Sequence, residues 1–167
     1  MWGRVTRWLV PVALVGVVGV GAAMAATSMM RSSGGTVQAA KSSKYGTVLV
    51  NSSGRTLYRY TADKKGVSVC TGACAKFWLA LVLKGNAKPT AGAGAKASLL
   101  GTIKRAYGVV QVTYAGFPLY LFSGDRKSGD VKGQGFESKW FVVDTKGAFV
   151  KHAVAPTSGG GGSGGWG

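Results

Sequence analysis

The chain has 167 residues, with 21 Lys and Arg against 5 Asp and Glu and a formal net charge of +16 at pH 7. A zinc site needs four protein ligands or three plus water, and the one histidine, His152, stands far along the chain from the two cysteines; no recognised catalytic pattern surrounds the five carboxylates. A charge this positive points either to an anionic partner or surface or to solubility in a sequence poor in acids.

Arg4 and Arg7 precede an uncharged stretch from Trp8 to Ala26, which ends in the small-residue sequence Ala23-Met24-Ala25. This is the pattern of a secretory signal peptide over residues 1–26. The apolar stretch approaches the length that crosses a bilayer, so an uncleaved N-terminal anchor is the alternative. Both readings place the rest of the chain outside the cytoplasm, because the arginines stay inside. Residues 27–44 are small and polar and read as a flexible lead-in. One β domain is expected from 45 to 154, the size of an ordinary domain.

Thr47–Val50 and Thr56–Tyr60 flank Asn51-Ser52-Ser53-Gly54 and predict a hairpin. Alternation puts Tyr58 and Tyr60 on one face, toward the core, with Leu57 and Arg59 on the other. Asp63 opens a turn, where an Asp usually bonds local backbone; a cation site using Asp63, Asp125 or Asp130 is the sharper alternative. Cys70 and Cys74 are spaced for a disulfide in an exported chain, with a redox-active pair or half of a metal site as the functional alternative. Thr71–Trp78 is the best helical segment, and 85–98 is a connection rich in Ala, Gly, Lys and Pro. Leu100–Lys104 is expected to pair with Val109–Thr113. Leu119–Phe122 follows Pro118, which marks a strand entry or edge. Trp140–Val143 and Ala148–Val150 predict a last hairpin. Residues 155–167 form a Gly/Ser-rich tail expected to be disordered.

The chain repeats itself at an offset of 62 without a gap. Tyr58-Arg59-Tyr60-Thr61-Ala62-Asp63 falls on Tyr120-Leu121-Phe122-Ser123-Gly124-Asp125, and Trp78 falls on Trp140. Both motifs read Tyr-x-aromatic-x-x-Asp. The expected architecture is all-β: two pseudo-equivalent antiparallel hairpin units, about 46–85 and 100–150, with a short helical turn near 71–78. Tyr58, Tyr60, Tyr120 and Phe122 are expected to pack in the core with Trp78 and Trp140, with an aromatic ligand slot as the alternative. A buried Tyr hydroxyl needs a partner, and the motif Asp of the same copy is the nearest candidate in sequence. The copies differ in two places: the first has the cysteine pair, the second has Gly133-Gln134-Gly135. A functional site would lie where those differences meet.

These residues resemble a bacterial family of secreted repeats and predicted lipoproteins named for the Tyr-x-(Phe/Trp/Tyr)-x-x-Asp motif, whose function is uncharacterised. The likeness runs from about Gly46 to Gly147. It includes Gly54-Arg55-Thr56-Leu57-Tyr58, Cys70-Thr71-Gly72-Ala73-Cys74-Ala75, Pro118-Leu119-Tyr120-Leu121-Phe122 and Trp140-Phe141-Val142-Val143. The chain departs from the family in lacking the lipidated Cys that many relatives carry after the signal, in Leu79-Ala80-Leu81 where relatives often carry prolines, and in Phe117 where relatives often carry His or another polar or aromatic residue. It is therefore not expected to be a lipoprotein, and the resemblance brings no catalytic residue.

No nucleophile elbow, P-loop, zincin or EF-hand pattern is present. The expectation is an exported, non-enzymatic module of the cell envelope, without cofactor or metal, that holds an anionic wall polymer or membrane surface. Nucleic acid is not expected. The alternative is an extracytoplasmic redox accessory using Cys70 and Cys74. A hydrolase using Asp63 and Asp125 is a third, weaker reading.

Overall fold

The computed structural model describes residues 35–154; the expected signal or anchor (1–26) and the tail (155–167) lie outside the described residues. The fold is all-β, with one short α-helix and three 3-10 turns among the described residues. The strands are β1 (Thr36–Ser42), β2 (Gly46–Asn51), β3 (Tyr58–Tyr60), β4 (Trp78–Ala80), β5 (Thr90–Ala91), β6 (Leu100–Lys104), β7 (Val110–Tyr114), β8 (Phe117–Pro118), β9 (Tyr120–Phe122) and β10 (Trp140–Val142). The helix α1 spans Ala73–Phe77, inside the expected helical segment. Among the described residues no helix is long and apolar enough to cross a membrane.

Among the described residues three sheets form, in the orders β2-β1-β5, β10-β3-β9-β4 and β6-β7-β8. The middle one carries the architecture. In it β3 and β9 run antiparallel with Tyr58 opposite Tyr120. Those two residues are equivalent in the repeat, so a pseudo-two-fold axis passes between them. The outer strands obey the same symmetry. Trp140 pairs with Tyr60 and Val142 with Tyr58 on one edge; Trp78 pairs with Phe122 and Ala80 with Tyr120 on the other. The last strand of each unit therefore lies on the aromatic strand of the other unit. The two repeats are interlocked, not set side by side.

Two expectations change. Residues 36–42 of the supposed flexible lead-in form β1, antiparallel to β2 from Val37↔Asn51 to Ser42↔Gly46. Val37 is fully buried, and backbone pairing with β2 holds a strand otherwise made of small and polar residues. By the repeat, β1 is the counterpart of β6, whose pairing with β7 is as expected, from Leu100↔Tyr114 to Lys104↔Val110. The first hairpin is also shorter than expected. After the bridge Val50↔Thr56 and the bond from Leu57 N to Leu49 O (2.9 Å), the chain leaves β2 and enters the middle sheet as β3. Burial of Tyr58 against the other unit outweighs continued pairing with β2. The final hairpin closes through Asp144 N to Ala148 O (3.0 Å) and Val150 N to Val142 O (2.9 Å).

Both faces of β3 are covered. One core gathers Val37, Leu49, Leu57, Leu81, Val112, Tyr114, Leu119 and Val143. The other gathers Val48, Val50, Tyr58, Cys70, Trp78, Tyr120, Trp140 and Val142. Arg59, on the face opposite Tyr58, is buried as well. Its guanidinium lies 3.5 Å over the Phe117 ring and 4.3 Å over that of Phe149, and it donates to Gly147 O. Desolvation holds its pKa down, to about 10. Phe117 and Phe149 are thus the platforms for a buried cation.

Candidate functional site

The doubled motif converges on the pseudo-two-fold axis. Tyr58 and Tyr120 are fully buried, and each hydroxyl reaches the aspartate of the other copy. Tyr58 donates to Asp125 Oδ2 at 2.7 Å; Tyr120 donates to Asp63 Oδ2 at 2.6 Å. This corrects the expected pairing within one copy. The physical reason is the β3–β9 contact: two equivalent tyrosines meet at the axis and each points into the loop that follows the other.

The second oxygen of each carboxylate holds a loop. Asp63 Oδ1 accepts from Val69 N at 2.8 Å, and Asp125 Oδ1 accepts from Lys132 N at 2.9 Å. The expected Asx turns are therefore replaced by longer pins, six and seven residues ahead. Local Asx-type capping falls instead to Asp144, which accepts from Lys146 N and Ala148 N, both at 2.8 Å. Asp130 accepts from Arg126 N and Lys127 N and pairs with Lys132 Nζ at 3.5 Å. Ser68 Oγ lies 2.6 Å from the Tyr120 hydroxyl.

Burial raises the pKa of Asp63 and of Asp125, against the tyrosine hydroxyls and backbone amides that favour the charged forms. Burial, then the neighbouring carboxylate, raises both tyrosines above the ordinary phenol range. Such a pair is a poor general acid–base couple and a strong internal clamp.

Above the clamp lies an aromatic stack. Trp78 and Trp140 face each other at 3.8 Å with a 2° interplanar angle. Tyr60 stacks on Trp140 at 4.3 Å, and Phe122 lies 4.6 Å from Trp78. The edge contacts Tyr58–Trp78 and Tyr120–Trp140, at 5.3 and 5.1 Å, repeat the symmetry. The structure thus brings Tyr58, Tyr60, Tyr120, Phe122, Trp78 and Trp140 into one cluster.

Symmetry breaks on the outer side of the stack. Cys70 and Cys74 form a disulfide with Cα atoms 5.3 Å apart, which ties α1 to the loop before it. Phe77 from α1, half-buried Cys74, Phe136 and Glu137 wall a cleft of about 490 Å³ floored by Trp78, Trp140, Tyr60 and Phe122. Phe77 and Phe136 are exposed at its mouth. The cysteine pair contributes Cys74 directly, whereas Gly133-Gln134-Gly135 leads into the Phe136 wall.

That glycine loop has structural work. A Cβ on Gly133 would stand 2.7 Å from the Trp78 indole. Gln134 bridges the last hairpin, donating to Val150 O at 2.6 Å and accepting from Val142 N at 2.8 Å. Phe77 and Phe136 escaped the sequence reading, because nothing in a lone exposed Phe marks it as a cleft wall. Their placement beside the two departures from the repeat was the available signal. Among the described residues no three His, Cys, Asp or Glu side chains converge as a metal site would require.

Comparison with known families finds a secreted repeat of unknown function that matches twice, over residues 39–82 and 101–144. The two matches stand at the offset of the internal repeat, and the first begins inside β1. Neither curated proteins nor solved structures give a match.

Proposed function

The chain belongs to this family of secreted repeats of unknown function, and on that premise we propose that it is an exported, non-enzymatic module that holds phosphate-bearing wall polymers through its lysines. The observation that carries the reading is the fate of the acids. Asp63 and Asp125 are buried against tyrosines, Asp144 caps a turn, and Asp130 and Glu137 each pair with a lysine. Every lysine among the described residues is exposed. The surface is therefore left positive almost without compensation, and a polyanion gains from it over a long reach. The non-enzymatic reading draws on the motif carboxylates, whose oxygens already accept bonds from hydroxyls and amides. The test is binding to isolated cell wall across a salt series. Retention at low salt that declines through physiological ionic strength, and is abolished by acetylating the lysines, is the expected result. Retention indifferent to both would overturn the reading.

A redox accessory is the second reading, and it rests on Cys74, which is half-buried and lines the aromatic cleft beside Trp78 and Trp140. On that reading a mild dithiol opens the bridge reversibly. A bridge that resists mild reductant removes it.

A further inference from the structure

The β6–β7 hairpin tip carries an aromatic residue with no evident duty in the fold. Tyr107 is fully exposed and sits at φ 59, a left-handed conformation costly for a residue with a side chain. The equivalent β1–β2 hairpin turns in three residues, Ser43 to Tyr45, whereas this one uses five, Arg105 to Val109. Arg105 braces the hairpin by donating to Gln111 Oε1 at 2.9 Å and fastens the tip to the first copy by donating to Cys70 O. Between the tip and residues 66–75 lies a groove of about 560 Å³, lined among others by Val67, Ile103, Tyr107 and Val109. Val67, Val69 and Val109 are 49%, 49% and 40% exposed. Ser68, between the two valines, turns its hydroxyl inward to Tyr120. Exposed Lys64 and Lys65 belong to the Lys64–Val67 turn whose Gly66 and Val67 line one rim, the Lys65 stem passing over Gly116, and exposed Lys104 lines the other rim. No acidic residue lines the groove; Asp63, which precedes the Lys64 turn in the chain, is buried and engaged by Tyr120 and Val69 N.

We propose that this patch docks on the surface of an anionic lipid bilayer, with Tyr107, Val67 and Val109 at the headgroup boundary and Lys64, Lys65 and Lys104 against lipid phosphates. Lysines alone would serve a soluble phosphate polymer. Exposed valines and an outward tyrosine gain nothing from such a polymer, but they do gain from an interface that is apolar below and charged above. This goes beyond the wall-polymer reading and does not depend on it.

The test uses the full chain with a polarity-sensitive fluorophore on Tyr107→Cys, a second version on Val109→Cys, and a control label at Lys84→Cys. A label at the tip reads contact there even if the N-terminal segment also enters the bilayer. On phosphatidylglycerol vesicles both tip labels shift to the blue and the control does not. On phosphatidylcholine vesicles the tip labels stay unshifted. Replacing Lys64, Lys65 and Lys104 by serine weakens the tip response roughly fivefold per lysine. No shift on phosphatidylglycerol, or an equal shift on both vesicles, overturns the proposal. A response to soluble poly(glycerol phosphate) alone also overturns it and assigns the patch to wall polymer. Loss of wall retention with an intact vesicle response would leave this inference standing and remove only the previous one.

Discussion

At the scale of single residues, the fold turns on two hydroxyl–carboxylate bonds that cross between repeats. Tyr58→Phe leaves Asp125 buried with one donor lost, and the same holds for Tyr120→Phe and Asp63. Each change is expected to cost about 1.5–3 kcal/mol in denaturant unfolding, the range for hydrogen bonds to charged groups. The raised pKa values of Asp63 and Asp125 set a pH dependence of definite sign. The folded state binds more protons than the unfolded chain between the unfolded value, about 3.9, and the raised folded values. Their contribution is full below that window and is lost as pH rises through it, so the melting temperature should rise on acidification from neutrality toward the unfolded value. Asp130 opposes this, since its folded pKa is lowered and its contribution is lost as pH falls through the folded value. In Asp63→Asn/Asp125→Asn the rise should vanish. The raised tyrosines act at the other end: their contribution is complete below about pH 10 and is lost above it. The association of Tyr with Asp was legible in the sequence, but not its direction. Identical motifs recur in both copies, so pairing within a copy and pairing between copies leave the same trace.

At the scale of elements, the middle sheet makes neither repeat complete. A fragment of residues 35–85 would lack both the strand that covers β3 and the carboxylate that receives Tyr58. It should show no cooperative unfolding alone, and should gain structure when mixed with residues 86–154; far-ultraviolet circular dichroism reads both outcomes. The disulfide is more local. α1 buries none of its residues, so its position depends on the Cys70–Cys74 bridge. Replacing both cysteines by alanine should cost about 2 kcal/mol. Hydrogen exchange should then speed up in Ala73–Phe77 and little elsewhere. The hairpins β6–β7 and Trp140–Val150 were readable from β-propensity and turn residues. β1 was not, because Val37 is its one large apolar residue and the rest is Thr, Gln, Ala, Lys and Ser. Yet its counterpart β6 reads as a strand, and the repeat offset carries that reading back to residues 38–42. The short first hairpin was hidden for another reason: local turn chemistry reports how a chain reverses, not where it then pairs.

At the scale of the molecule, charge and interlocking set the behaviour together. With the acids engaged internally or paired, lysine repulsion opposes the compact state, and added salt screens it. The melting temperature should therefore rise with salt over the same range in which wall polymer is released. A fold held mainly by ion pairs would move the other way. The central claim is that the repeats exchange their tyrosines and aspartates across the pseudo-two-fold axis, which makes the doubled motif a clamp between units. A pair of double-mutant cycles measured by denaturant unfolding tests it most directly. Tyr58→Phe with Asp125→Asn should show a coupling energy of about 1–2 kcal/mol, while Tyr58→Phe with Asp63→Asn should be additive within about 0.5 kcal/mol. Coupling confined to the Tyr58–Asp63 pair, with none between Tyr58 and Asp125, would contradict the exchange.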